Sequence, residues 1–104
     1  MLSILNQRAT LEAQVLTPDG AGGYSASWET IALVWCAIEP TTGAAVFGPD
    51  ATESRVRYRI VIRRRTDVTA GMRINASGRV FRIDAVLDDG PRAQFLTLLT
   101  EQIG

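Results

Sequence analysis

The chain has 104 residues, of which 46% are hydrophobic, and its eleven basic and eleven acidic side chains give a net charge of zero. That length suits a single domain spanning residues 1–104, and no apolar run approaches the roughly 20 residues of a membrane span or resembles a signal peptide, so we expect no membrane partner. Histidine is absent, which removes the commonest general base and metal ligand, so we expect no enzyme, no metal and no cofactor.

Alternating side chains predict a first strand over residues 8–16, because a period of two is that of a half-buried β-strand. One face of this strand carries Ala9, Leu11, Ala13 and Val15. Residues 17–23 then contain one proline and three glycines. Proline fixes φ and glycine admits positive φ, so we expect a loop there.

Residues 28–39 are apolar along most of their length, and helix and strand compete in such a run. Aromatic and β-branched side chains favour a strand, which Pro40 ends. We predict a long, bent central strand that is buried on both faces in its middle, with Trp28 and Trp35 as core anchors. Cys36 is interpreted as a small buried hydrophobe, since no base is available to activate it as a nucleophile.

Residues 41–52 form the longest irregular connection, interrupted by glycine at 43 and 48 and by Pro49. Loops of this length without regular structure are usually functional or disordered. Val46 and Phe47 lie in its middle. Two interpretations stay open: the loop folds back over one end of the domain, or it is an assembly arm whose apolar tip is buried by a neighbouring molecule.

The clearest strand covers residues 55–63. Its inner face carries Val56, Tyr58, Ile60 and Ile62, and its outer face carries Arg55, Arg57, Arg59 and Arg63, with Val61 as the only apolar interruption. Residues 55–82 hold nine arginines and one aspartate, a net charge of +8, against −8 for the rest of the chain. Three interpretations of this basic face stay open: it pairs with acids such as Glu12 and Glu39 on neighbouring strands or subunits, it contacts nucleic acid phosphates, or it is simply solvated.

Three further strands follow, over residues 72–76, 79–87 and 93–101, with a tight turn at Ser77 and Gly78. In the second of these, Phe81, Ile83 and Ala85 share one face. The fold class is therefore all-β: a small antiparallel β-barrel of about six strands with a long protruding loop between strands 2 and 3.

The order and spacing of several motifs form a recognisable series: Asp19, Gly22, Gly23, Trp28, Glu29, residues 34–40, Gly43, and residues 57–60, 62–63, 72–74, 78–83 and 96–98. This series resembles the head–tail joining family of tailed bacteriophages, whose members are called head-closure or stopper proteins. The resemblance covers roughly residues 5–101 and extends to the neck proteins of gene transfer agents, which are phage-derived particles of bacteria.

The resemblance implies a small β-barrel that assembles as a homo-oligomeric ring of six or twelve copies in the neck of a virion or phage-like particle. The ring would lie under the portal and adaptor rings, surround the channel for packaged DNA, and receive the tail through a tail terminator or tail tube protein. Assembly would take place in the bacterial cytoplasm.

In relatives, the loop before the arginine-type strand projects toward the channel and helps retain packaged DNA. The matching positions here are Thr41, Thr42, Gly43, Ala44, Ala45, Val46, Phe47, Gly48, Pro49 and Asp50. A different class of function is a small β-barrel nucleic-acid-binding module, which needs aromatic side chains interleaved with its basic face. Tyr58 and Phe81 alternate onto the apolar side instead, which disfavours it.

Overall fold

A computed structural model describes residues 5–41 and 57–104, and over these ranges the chain forms six antiparallel strands. Their bounds are β1 Gln7–Pro18, β2 Tyr24–Pro40, β3 Arg57–Arg63, β4 Arg73–Ala76, β5 Arg79–Asp88 and β6 Phe95–Gln102. Nowhere in these ranges does a helix have the length and hydropathy needed to cross a membrane. The all-β prediction is confirmed.

The strands close into a barrel in the order β1–β2–β3–β6–β5–β4. Closure depends on a short pairing in which β1 meets β4 through Thr10, Leu11 and Glu12 only. β3 pairs along its length with β6 on one side and with the end of β2 on the other. Because closure joins β1 to β4, the two strands at the ends of this order, it removes the unpaired edges that an open sheet would expose.

The core lies inside the barrel and takes one face of each strand. Leu11, Ile60, Phe81 and Leu98 have no exposed area, and the Tyr58 ring meets the Phe81 ring edge-on at a centroid distance of 5.2 Å. The buried hydroxyl of Thr100 donates a hydrogen bond to the carbonyl of Tyr58 at 3.0 Å. The alternation in the arginine strand therefore predicts the core side of β3 correctly.

β1 and β2 extend beyond the barrel as a two-stranded ribbon, here called the arm and defined as residues 13–30. The two strands pair with each other from the pair Gln7–Cys36 in the barrel to the pair Pro18–Tyr24 at the tip of the arm. β2 joins β3 only from Cys36 onward, so the arm has no third strand among the described residues. Asp19 closes the arm's loop by accepting hydrogen bonds from the backbone N–H groups of Ala21 at 2.8 Å and Gly23 at 3.1 Å.

The predicted burial of β2 on both faces is wrong, and so is the interpretation of Trp35 as a core anchor. Trp35 is 52% exposed, and Trp28 is half-buried under the Arg73 guanidinium, which lies 4.1 Å from the ring centroid. Cys36 faces the core, so alternation turns Trp35 outward. An apolar run on both faces of a strand looks doubly buried in sequence, although the outer face of β2 is exposed at Leu33 and Trp35 and buried only farther along, at Ala37.

The predicted face of β5 is wrong at Ala85. The register of β5 against β6 shifts between Ile83 and Ala85, and a bulge of this kind adds one residue and reverses the alternation that follows. Val86 therefore packs against the core in place of Ala85. A similar shift opposite Leu11 and Glu12 of β1 leaves Ile31 of β2 without a partner residue, so it interrupts the alternation of β2.

The predicted tight turn at Ser77 and Gly78 is confirmed. Both residues have positive φ, 53° and 77° respectively. That backbone matches the twist of the two flanking strands in a hairpin, so β4 and β5 pair directly across it.

Candidate assembly surface

The outer face of β3 presents Arg57, Arg59 and Arg63, all exposed, and the fourth predicted member of this basic face, Arg55, lies outside the described residues. Arg59 approaches the carboxylate of Glu39 on β2 at 3.9 Å, with half of its side chain exposed. Within residues 5–41 and 57–104, no carboxylate is within ion-pair distance of Arg57 or Arg63. Two guanidinium groups of this face are therefore available to a partner.

Other arginines of the basic segment are neutralised by acids of the same chain. Arg82 bridges Asp84 on its own strand and Glu101 on β6, each at 2.9 Å. Arg64 contacts Asp88 and also donates to the carbonyl of Gly90 at 2.7 Å. The contact with Arg64 lowers the pKa of Asp88 below its usual value of 3.8, with help from the backbone N–H of Gly90.

Glu12 pairs with Arg73 on β4, at 2.5 Å, and not with an arginine of β3. Both side chains are largely buried, with 24% of Arg73 and 14% of Glu12 exposed. Because the same guanidinium stacks on Trp28, Arg73 joins the base of the arm to the barrel wall.

The base of the predicted assembly loop is fixed by one pair of residues. The backbone N–H and the hydroxyl of Thr41 both donate to the carbonyl of Arg57, each at 3.1 Å. The rest of the predicted loop, Thr42 to Asp50 with Val46 and Phe47, lies outside the described residues. The connection from β2 to β3 therefore leaves and re-enters the barrel at one point on its rim.

The outer face of β2 is apolar and exposed, a feature that the sequence reasoning missed. Ile31, Leu33 and Trp35 are 39%, 67% and 52% exposed. Trp35, together with Leu5, Arg63 and Phe95, lines a shallow open depression of about 310 Å³. A signal in the sequence was the spacing of these three residues at every second position. An apolar surface that crosses strands in this way is typical of a protein contact.

The described residues offer no constellation for covalent or metal chemistry. The Cys36 thiol is fully buried, and burial raises its pKa to about 11, so it is un-ionised at neutral pH. Across the described ranges, no three His, Cys, Asp or Glu side chains are grouped so that they could hold a metal ion.

The aromatic side chains of the basic segment do not offer stacking platforms for nucleobases. Phe81 has no exposed area. Tyr58 packs on it from within the barrel, and Arg79 lies 4.9 Å from both ring centroids. Single-strand binding by small barrels depends on exposed aromatic rings beside basic side chains, and Tyr58 and Phe81 are not rings of that kind.

Comparison with known proteins finds one matching family. The family model described as phage head completion protein matches residues 2–103, which is nearly the whole chain. No curated protein sequence matches the chain.

Two solved structures share the fold. A chain from the structure "Virion of native gene transfer agent (GTA) particle" superimposes with a TM-score of 0.73 and 26% identity, and the match covers 94% of each chain. The solution structure of protein SF1141 from Shigella flexneri 2a gives a TM-score of 0.71 at 26% identity, covering 93% of this chain and 91% of that one.

Proposed function

Because the chain belongs to the phage head completion protein family, and is thus a structural head–tail protein of a phage or phage-like particle, we propose that it forms a ring in the neck that joins the capsid to the tail. The observation that carries this proposal is the match over 94% of both chains to a component of a gene transfer agent virion. The whole barrel, and not one motif, is shared.

In this proposal the work of the protein is mechanical. Copies of the barrel stand side by side around the channel through which packaged DNA passes. A contact that uses two different surfaces of each copy closes into a ring when successive rotations sum to a full turn. The ring, of six or twelve copies, touches an adaptor or portal ring on the head side and a tail terminator or tail tube protein on the tail side.

The connection at residues 41–50 is proposed to narrow the channel. Its support is the rim position of the Thr41–Arg57 pair, which holds both ends of the connection together without help from the residues between them. The contacts that each copy makes with its neighbours are modest, but the symmetry of the ring repeats them once for every copy.

Arg57 and Arg63 are proposed to pair with acids of a neighbouring copy. Glu29 and Asp89 are exposed, and neither has an ion pair among the described residues. Contact of the two arginines with DNA is the competing interpretation. DNA contact predicts a steep loss of affinity with salt, through counterion release, whereas a few exposed ion pairs respond weakly.

Deletion of residues 43–50 tests the mechanical role. The barrel should keep its fold and its thermal midpoint, because every described strand and the Thr41–Arg57 pair remain, while particles carrying the variant should leak DNA or fail to join tails. A matched control replaces residues 43–50 with eight Gly and Ser residues, which restores length but not side chains.

Two results would count against this role. Unfolding of the deletion variant would show that the loop belongs to the core. Normal DNA retention and tail joining by the deletion variant would show that residues 43–50 have no part in closing the channel.

A further inference from the structure

The arm has two open edges, one on each strand. Beyond Glu12, β1 has left its pairing with β4, and before Cys36, β2 has not yet met β3. Residues 13–18 of β1 and 24–30 of β2 therefore pair only with each other among the described residues. Each strand turns half of its backbone N–H and C=O groups away from its partner.

The hydrogen bonds settle which groups point outward. Asp19 donates its N–H to the carbonyl of Gly23 at 3.1 Å, so this pair faces inward. In an antiparallel ribbon, hydrogen-bonded and non-bonded pairs alternate. The next pair, Pro18 with Tyr24, is therefore non-bonded, and so is the pair Leu16 with Ala26.

Continuing this alternation along the arm gives two rows of outward backbone groups. On β2 the row runs through Tyr24, Ala26, Trp28 and Thr30, and on β1 it runs through Gln14 and Leu16. On the barrel side, the same alternation turns Glu12 toward β4, with which it pairs.

Neither edge carries the usual protection against strand pairing. Edge strands are normally blunted by lysine, proline or inward-pointing charge. Residues 24–30 contain no proline and no basic residue, and their one charged residue is Glu29. Residues 13–17 contain no charge and no proline, and Pro18 comes only at the end of β1.

The arm also exposes large apolar side chains. Leu16 is 60% exposed and Tyr24 is 69% exposed, and their pairing partners place them on one face of the ribbon. A two-stranded ribbon is marginal on its own in water, and added strands give such a face something to pack against.

We propose that the arm joins copies of this chain by pairing between strand edges. The open edge of β2 at residues 24–30 pairs, antiparallel, with the open edge of β1 at residues 13–18 of the next copy. Each copy then offers one edge of each kind, which is the requirement for a head-to-tail contact that closes into a ring. This inference rests on the proposed ring and names the contact that builds it.

Edge coverage favours this contact over a two-fold one. A symmetric pairing of β2 with β2 would leave the open β1 edge at residues 13–17 of every copy uncovered. Pairing with β1 sets Glu29 against residues 13–17, which carry no charge. The occupant that fits the β2 edge is thus the β1 edge of a second copy.

Proline substitutions on the two edges test the proposal. Ala26→Pro and Gln14→Pro each remove one outward N–H and leave the hydrogen bonds inside the arm intact, because proline is tolerated where the N–H faces away from the partner strand. Ala26→Thr and Gln14→Thr are matched controls that keep the N–H. All four full-length variants are examined by circular dichroism and by mass measurement under conditions in which the wild type forms rings, with neck partners added where it needs them.

We expect each proline variant to keep the wild-type fold and to lose rings, while both threonine variants form them. An equimolar mixture of the two proline variants should stop at dimers, because only one productive interface joins an intact β2 edge to an intact β1 edge. Rings from either proline variant alone would overturn the proposal and leave the ring function standing. A wild-type chain that forms no ring with its neck partners would overturn both.

A second readout holds even if a proline variant unfolds. Amide hydrogen exchange is compared between free and assembled wild-type protein, with single residues read after the assembly is dissociated. The outward N–H groups of Ala26, Trp28 and Thr30 should gain at least about tenfold protection on assembly. Unchanged exchange at these three amides in assembled rings would show that the copies meet elsewhere.

Discussion

Arg73 is the side chain that ties the arm to the barrel. Its guanidinium bonds to Glu12 at 2.5 Å and stacks 4.1 Å from the centroid of Trp28. Both members of the ion pair are largely buried, so each is poorly solvated without the other. By contrast, Arg65 and Asp67 form a pair on the surface, joined by two hydrogen bonds of 2.9 Å each.

We expect Arg73→Ala to lower the free energy of unfolding by about 2 kcal/mol, because it leaves a buried carboxylate without its charged hydrogen-bond donor. Arg65→Ala should change it by less than about 1 kcal/mol, since even a well-formed exposed pair contributes little. Urea denaturation of both variants measures the difference. Equal losses would contradict the burial argument.

Two surface aspartates link stability to pH. The pKa of Asp88 is held below 3.8 by the Arg64 guanidinium, and the pKa of Asp19 is held below 3.8 by the N–H groups of Ala21 and Gly23. Since the folded-state pKa is the lower one, the stabilisation is fully present above the unfolded pKa and is lost as pH falls through the folded pKa.

Stability should therefore decline as the pH falls below about 4, and Asp88→Asn should decline less over that interval than the wild type. Thermal midpoints from pH 6 to pH 2 give the comparison, with Asp89→Asn, an exposed neighbour, as the matched control. A wild type and an Asp88→Asn variant with parallel pH profiles would rule out this linkage.

The bulge in β5 decides which of its side chains stabilise the barrel. Past the register shift at Ile83 and Ala85, Val86 packs on the core and Leu87 is 46% exposed. We expect Val86→Ala to cost about 1.5 kcal/mol from lost burial of two methyl groups, and Leu87→Ala to cost less than about 1 kcal/mol. Chemical denaturation compares them, and the reverse order would place the bulge elsewhere.

Strands were predictable from sequence where one face is apolar and the other charged. The arginines of β3 mark its outer face so clearly that Ile60 and Ile62 could be assigned to the core without a structure. The β5 bulge was not predictable in this way, because inserting one residue into the pairing leaves no mark in the alternation of Phe81, Ile83 and Ala85. Only the partner strand reveals the shift.

β2 shows a second limit of sequence patterns. Residues 31–38 are apolar at both odd and even positions, so alternation could not tell a doubly buried strand from one with an exposed apolar face. The difference lies in whether another layer covers Leu33 and Trp35, and a closed barrel supplies none. The Thr41–Arg57 anchor escaped prediction as well, because it joins residues far apart in the chain.

The molecule as a whole separates a closed unit from the parts available for contact. The barrel satisfies its own strand edges by closure, and most arginines of residues 57–82 are paired or stacked within it. What remains outside is the arm with its two open edges, the exposed face of β2, and Arg57 and Arg63. These features are the surfaces through which we propose that the protein contacts other copies and other particle proteins.

Imaging the neck of an assembled particle at a resolution that traces side chains tests the proposed ring most directly. It should show copies of the barrel in a closed ring around the DNA channel between head and tail, with the connection at residues 41–50 turned toward the channel. Finding the chain as isolated copies, or in a part of the particle away from the head–tail junction, would contradict the account.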